Sequence, residues 1–386
     1  MSQTGLNMEK VKRQNRALIL RSIYESGPIS RKDIAAQTGL TPASVTQITT
    51  ALIADGLLEE IGTAKDRPGA AGRRKILLDV CPDAAWILAV NIEPRTTVIA
   101  VCNMKGELPE KDHDNFFRTI PTQKEIAPEA YLAQIAQICR EMLAGLSESA
   151  RGQVKAVSVG ITGVTDDAEG LSTHAYNVWN EPVDVRGILG KELGLPVFLK
   201  NNVYAFATAE LLFGDGRNGV DLFIVKWGPG VGSAIISDGQ LYKGRMGKSA
   251  ELGHVVVKKN GDPCICGRRG CLETLISYSA LSKLMDFVPN EFGQRYADAD
   301  AETRSRIDEA IGLFAQSIVN AGTLLAPGHI ILCGELFIDE RIRERLISFC
   351  AACDASFGEE RIRYTSLSDR ERFIGQVAVF IQETYL

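Results

Sequence analysis

Apolar positions along this chain follow two rhythms, a helical one before residue 55 and a strand-like one after residue 85. Over residues 11–26, Ala17, Leu18, Leu20, Ile23 and Tyr24 recur at helical spacing, with Lys12, Arg13, Arg16 and Arg21 on the remaining faces. Gly27-Pro28 stops that helix. Ser30, with Asp33 three positions on, opens a second helix through a capping-box-like start; Ile34, Ala35 and Thr38 carry it and Gly39 ends it. Thr41 as N-cap and Pro42 in the first turn open a third. Its Val45, Ile48 and Leu52 face inward, which leaves Ser44, Thr46, Gln47 and Thr50 on other faces.

Residues 57–61 and 75–78 read as two strands around a Gly-, Arg- and Lys-rich stretch whose tip carries Arg67, Arg73 and Arg74. Two short helices joined by a Gly-containing turn, then a hairpin, predict a winged helix-turn-helix of α+β class. The third helix would enter the major groove, where Gln47 can pair with adenine and Ser44 and Thr46 can reach bases or phosphates. The basic wing tip suits phosphates or a narrow minor groove. A small three-helix docking domain with a solvated basic loop fits the same pattern.

From residue 86 short apolar runs take over: 86–92, 97–102, 154–161, 195–199, 221–227, 234–236 and 329–334. Helical stretches at about 124–147, 184–193 and from Asn202 through Glu210 separate several of them. Strands alternating with helices predict an α/β sheet with ligands at the strand ends. No internal repeat or low-complexity tract is visible.

A length of 386 residues accommodates two or three domains, and 45% hydrophobic with 24% charged residues is ordinary for a soluble globular protein. Charge is uneven. Residues 1–80 hold twelve Lys+Arg against eight Asp+Glu, while the remainder holds 31 against 40. A basic end on an acidic body points to one module that faces nucleic acid. No apolar run approaches the roughly 18 residues of a membrane helix. Nine Cys without a secretion signal point to a reducing cytoplasm. Cys350 and Cys353 read as helix residues.

The densest chemistry lies between Glu251 and Glu273. His254, Cys264, Cys266 and Cys271 are four borderline-soft ligands within eighteen residues, the number a closed tetrahedral zinc site needs. With no open position, such a zinc is structural. Gly267 and Gly270 flank the last gap, where a tight loop needs permissive backbone. Four unrelated residues, or a pair of disulfides, is the competing reading. Folding this loop on a metal would draw Glu251 and Glu273 together, and paired carboxylates accept hydrogen bonds from the hydroxyls of a sugar. His254 can bind metal through one ring nitrogen and offer the other to a ligand. Either acid could instead be solvated.

The pattern Glu251-x-x-His254, nine residues, Cys264-x-Cys266-Gly267-x-x-Gly270-Cys271-x-Glu273 resembles the signature of the ROK family, bacterial sugar kinases and sugar-responsive repressors on one scaffold. The resemblance implies an α/β actin-like sugar-kinase fold, two lobes around a cleft, behind the winged helix-turn-helix. The implied division is 1–82 for DNA binding, 83–200 for the first lobe, joined by a C-terminal helix at about 370–386, and 201–369 for the second lobe with zinc. It assigns Gly163, Asn201, Asn202, Glu251, His254 and Glu273 to the sugar. The A-x-G-R-R segment is similar to the wing of the family's repressors.

Against the family's kinases the chain departs on the nucleotide side. The catalytic base Asp is replaced by Asn202, and an amide does not accept a proton at neutral pH. The Asp-x-Gly-Gly-Thr phosphate hairpin reads Asn91-Ile92-Glu93-Pro94-Arg95. Pro229 stands where a Thr is expected, and Gly334 is followed by Glu335. The expectation is a non-enzymatic repressor, a homodimer or homotetramer, that binds operator DNA and senses a sugar or sugar derivative. The alternatives are an active sugar kinase with a DNA module, a repressor that senses a protein partner, and an activator.

Overall fold

The computed structural model describes residues 8–63, 75–109, 113–244 and 249–386. The N-terminal module comprises α1 (Met8–Ser26), β1 (Ile29–Ser30), α2 (Arg31–Thr38), α3 (Pro42–Ala54), β2 (Leu58–Thr63) and β3 (Ile76–Val80). Local chemistry sets its boundaries. The Ser30 hydroxyl accepts the Asp33 N–H at 3.3 Å, Gly39 closes α2 at φ 69°, and Thr41 accepts from the Ser44 N–H at 3.2 Å. Ile19, Ile23, Ile34, Val45, Leu52 and Leu78 interlock as a fully buried core. The hairpin carries a third strand that the apolar pattern does not announce: β1 pairs with Leu77 and Leu78 of β3, giving the order β1-β3-β2. Two residues are too few to show a period. The wing-tip arginines Arg67, Arg73 and Arg74 lie outside the described residues.

The first lobe follows with β4 (Trp86–Ile92), β5 (Thr96–Asn103), α4 (His113–Phe116), β6 (Phe117–Pro121), α5 (Pro128–Gly145), α6 (Glu148–Gly152) and β7 (Val154–Ile161). Then come β8 (Val164–Asp166), β9 (Leu171–His174), β10 (Val183–Asp184), α7 (Val185–Leu193) and β11 (Val197–Asn201). Its main sheet has the order β11-β7-β4-β5-β6, parallel through β11, β7 and β4 and antiparallel beyond. All seven residues of β4 are buried, as an inner strand covered on both faces requires. The strands β8, β9 and β10 form a separate small sheet.

Helix α8 (Asn202–Phe213) leads to β12 (Leu222–Trp227), β13 (Val231–Ser237) and β14 (Gln240–Leu241) of the second lobe. It continues with α9 (Glu273–Ile276), α10 (Tyr278–Leu281), α11 (Phe292–Asp298), α12 (Ala301–Leu325), β15 (His329–Cys333), α13 (Glu340–Cys353) and β16 (Ile362–Tyr364). Its sheet, β14-β13-β12-β15-β16, is parallel through β12, β15 and β16 and antiparallel through β12, β13 and β14. The two lobes therefore share one strand plan, a duplication invisible in the residues. A plan of this kind constrains burial and not side-chain identity. The last helix, α14 (Ile374–Tyr385), returns to pack on α8, β4 and β7. Cys350 and Cys353 sit on α13, as helix residues.

Candidate effector cleft and metal centre

The metal-ligand quartet is assembled by the loop between β14 and α9. Val256 bridges to Cys271 and Pro263 to Arg269, so the loop doubles back on itself twice. Gly270, at φ 70°, is where it turns tightest: a Cβ there would lie 1.8 Å from the Lys258 carbonyl oxygen. The Cys264 Sγ is 3.4 Å from His254 Nδ1 and the Cys266 Sγ 3.6 Å from that of Cys271. All four ligand atoms lie within 4.8 Å of one another. Edges of a tetrahedron with zinc–ligand bonds near 2.1–2.3 Å are roughly 3.4–3.8 Å long, so the donor set fits a structural zinc site. The cysteines are free thiols, which rules out the disulfide reading.

Nδ1 of His254 faces the thiols, and its Nε2 points the other way, 3.9 Å from Glu251 Oε2. That places one ring nitrogen on the metal side and one on the ligand side. Glu273, at the start of α9, accepts the Val231 N–H at 3.0 Å and so ties the 228–232 turn to the metal loop. Gly230 faces that carboxylate so closely that a Cβ would lie 2.6 Å from its Oε2.

Across from these groups stand Gly163 and the junction of β11 with α8. Asn201 caps α8, its Oδ1 accepting the N–H groups of Val203 and Tyr204, and its Nδ2 donates to the Gly163 carbonyl at 2.7 Å. Gly163 holds φ 93°, and a Cβ there would meet the His174 carbonyl at 2.1 Å. Asn202 follows, donating to Glu93 Oε1 at 2.9 Å. One cleft is lined by Gly163, Asn201, Asn202, Glu251, His254 and Glu273 together.

The same cleft holds residues that no spacing rule singled out. Tyr176, on the loop after β9, lines the cleft and sets its ring 6.1 Å from that of His254. The loop is anchored by Trp179, whose indole N–H donates to Ser172 Oγ at 3.0 Å. At the cleft floor Glu93, just after β4, pairs with Lys226 of β12, with side-chain exposures of 16% and 14%. Burial alone would raise the Glu93 carboxyl, but Lys226, Asn202 and Asn91 outweigh it and hold the group below the usual carboxylate range. Burial would likewise lower the Lys226 ammonium, and Glu93 and then Glu371 reverse that. A carboxylate so stabilised is a poor proton acceptor, so Glu93 does not replace the base missing at Asn202.

On the DNA module, Thr46 and Gln47 are exposed on α3, while Ser44 is half-buried with its hydroxyl 2.9 Å from that of Thr41. Thr46 Oγ1 donates to the Pro42 carbonyl at 2.8 Å. Gln47 is therefore the unencumbered base-reading candidate.

A winged helix-turn-helix joined to a sugar-kinase-like cleft without its base defines a class, transcription regulators built on a kinase scaffold. The chain belongs to the ROK family, whose profile matches residues 88–383; the MarR-family profile matches residues 13–67. The xylose repressor of Caldicellulosiruptor bescii is 27% identical over 405 residues, covering 98% of each chain. The transcriptional dual regulator NagC of Escherichia coli K12 is 26% identical over 359 residues, covering 89% of this chain and 86% of that one. A crystal structure of a ROK family regulator, described as a homolog of the E. coli MLC protein, superposes with TM-score 0.76 at 22% identity over 97% of both chains. A Streptomyces griseus ROK glucokinase with glucose and AMPPNP superposes with TM-score 0.62 at 20% identity, over 78% of this chain and all of that one. The curated relatives are regulators, which agrees with the loss of kinase chemistry at Asn202. Among the described residues no helix is long and apolar enough to cross a membrane.

Proposed function

We propose that this chain is a sugar-responsive repressor. It binds operator DNA through α3 and the wing, with Ser44, Thr46, Gln47, Arg73 and Arg74 as contacts. A sugar or sugar derivative binds Gly163, Asn201, Asn202, Glu251, His254 and Glu273. The observation that carries this reading is a mismatch in the cleft: carboxylates and amides suited to hydroxyls line it from both sides, while an amide stands where proton transfer needs a carboxylate. Residues 1–82, 83–200 with 370–386, and 201–369 act as three bodies. Sugar closes the two lobes and so re-aims the DNA module. In a homodimer or homotetramer the half-sites lie about one helical turn apart, or a multiple of it, so a small rotation prevents simultaneous contact.

The test is a gel shift on DNA from upstream of the chain's own gene, titrated with pentoses, hexoses and amino sugars. One sugar is expected to release the DNA, and Glu251→Ala to abolish release while DNA affinity stays within about twofold. ATP-dependent phosphorylation of any of these sugars, lost in Glu251→Ala, would overturn the reading.

A further inference from the structure

We infer that Glu93 makes the cleft selective for neutral, unphosphorylated sugars, by accepting a free hydroxyl where a phosphate ester would have to project. The inference rests on the sugar-binding reading above and narrows its ligand class.

The geometry at the cleft floor is specific. Asn91 Nδ2, Asn202 Nδ2 and Lys226 Nζ all donate to Oε1 of Glu93. Oε2 of the same carboxylate takes no hydrogen bond from the described residues, and Glu93 lines the cleft. A carboxylate anchored through one oxygen and open at the other is a rigid acceptor for a hydroxyl. Asn202, at 2.9 Å, is its neighbour, so the hydroxyl that meets Asn202 also meets Glu93.

A phosphate on that hydroxyl would find few free donors. Anion sites are built from free backbone N–H groups or surplus cations. Pro94 and Pro229 have no N–H at all. The N–H of Glu93 is spent on the Thr96 carbonyl at 3.1 Å, that of Gly228 on the Gly230 carbonyl at 3.0 Å, and that of Val231 on Glu273 at 3.0 Å.

The cations are balanced by carboxylates. Lys226 is paired with Glu93 and also faces Glu371. The Arg95 guanidinium lies over the Tyr278 ring, 4.0 Å from its centroid. Glu335 faces Arg95, Lys226 and Arg372 from the far side. Counted together, Glu93, Glu335 and Glu371 balance Lys226, Arg95 and Arg372, so the floor carries no net positive charge to offset a dianion, although Nη1 of Arg95 is buried without a hydrogen-bond partner. A dianion stripped of its water and left unpaired is disfavoured, so the free sugar is expected to bind roughly 100-fold more tightly than its ester.

The test is calorimetry on the full chain with matched pairs: glucose and glucose 6-phosphate, N-acetylglucosamine and its 6-phosphate. At least one free sugar should give heat, with its ester roughly 100-fold weaker. In Glu93→Gln the carboxylate is gone and Lys226 is released, so the ester should recover at least about tenfold relative to the free sugar. DNA binding and the melting temperature of Glu93→Gln, measured alongside, report its folding, and the wild-type pair decides the question without it. An ester that binds wild type as tightly as its free sugar overturns the inference and leaves the sugar-binding reading standing. Absence of heat from every sugar and every ester, with DNA binding intact, overturns both.

Discussion

Tyr24 of α1 lies edge-on to Phe213 in the last turn of α8, with ring centroids 5.7 Å apart and planes at 88°. The first turn of that same helix carries Asn202 into the cleft. Twelve residues of helix, about 18 Å, therefore join the effector site to the DNA module through one rigid element. Arg21 adds a contact to the second lobe, 3.4 Å from the Gly239 carbonyl, and Asp79 of β3 adds one to the first, 2.7 Å from Lys105. The DNA module touches both lobes, so it feels the angle between them. Phe213→Ala should uncouple the sites. Operator affinity is expected to stay within a few-fold, while the sugar-induced change, an expected ~1–3 kcal/mol, falls toward zero. Gel shifts with and without sugar read both. Undiminished release in the variant would remove α8 from the coupling path.

The metal is expected to act on the ligand through position and not through chemistry. Glu251 and Glu273 sit at opposite ends of the loop that the quartet closes, and His254 belongs to both sites. Cys264→Ser should lose stoichiometric zinc by elemental analysis and weaken sugar binding at least about tenfold. Its far-UV spectrum should stay near wild type, because both five-stranded sheets lie outside the loop. Ligand uptake unchanged after complete metal removal would separate the two sites.

Glu210, buried in the middle of α8, links that helix to pH. Burial pushes its carboxyl up to about 7, against the opposing Thr365 hydroxyl at 2.5 Å and Asp215 N–H at 2.9 Å. The ordinary value is 4.5. The folded state therefore binds the proton more tightly than the unfolded chain. Its contribution to stability is complete below about pH 4.5 and is lost as pH rises through about 7. The loss between pH 5.5 and 8 is on the order of 2 kcal/mol. Glu210→Gln keeps an acceptor for Thr365 and cannot ionise, so its urea midpoint should be flatter across that range. Parallel slopes in wild type and variant would assign the pH dependence to other groups.

What could be read from residues alone divides by sequence separation. Ser30 with Asp33, Thr41 with Pro42, and the quartet from His254 to Cys271 are local patterns, and a local pattern fixes local geometry. The polar pairs at and behind the cleft are not local. Glu93 and Lys226 are 133 positions apart, Glu210 and Thr365 155, and Asn91 and Gln376 285. Each pair looks like two unrelated polar residues until the lobes assemble. Glu93 is the instructive case: its place in Asn91-Ile92-Glu93-Pro94-Arg95 marks a lost phosphate loop, and only the approach of β12 turns the loss into a new acceptor. Tyr176 was hidden for a similar reason, since a lone aromatic in a loop carries no period. The 25-residue α12 carries an Asp300 cap and a buried stripe through Ile307, Ile311, Phe314 and Ile318, local signals that build the lobe and say nothing about the site.

DNA recognition gives the last separation of roles. Gln47 is exposed on α3 with no side-chain partner among the described residues, while the Ser44 and Thr46 hydroxyls already serve their own helix. A carboxamide free to lie along a base edge discriminates sequence, whereas arginines on a wing add charge that every sequence attracts alike. Gln47→Ala should thus cost about 1–3 kcal/mol on the cognate operator and almost nothing on unrelated DNA. Arg73→Ala with Arg74→Ala should weaken both kinds of DNA together and lower the slope of log affinity against log salt by up to about two. Fluorescence anisotropy at several salt concentrations distinguishes the two patterns. A uniform loss in Gln47→Ala would move base reading away from α3 and onto the wing.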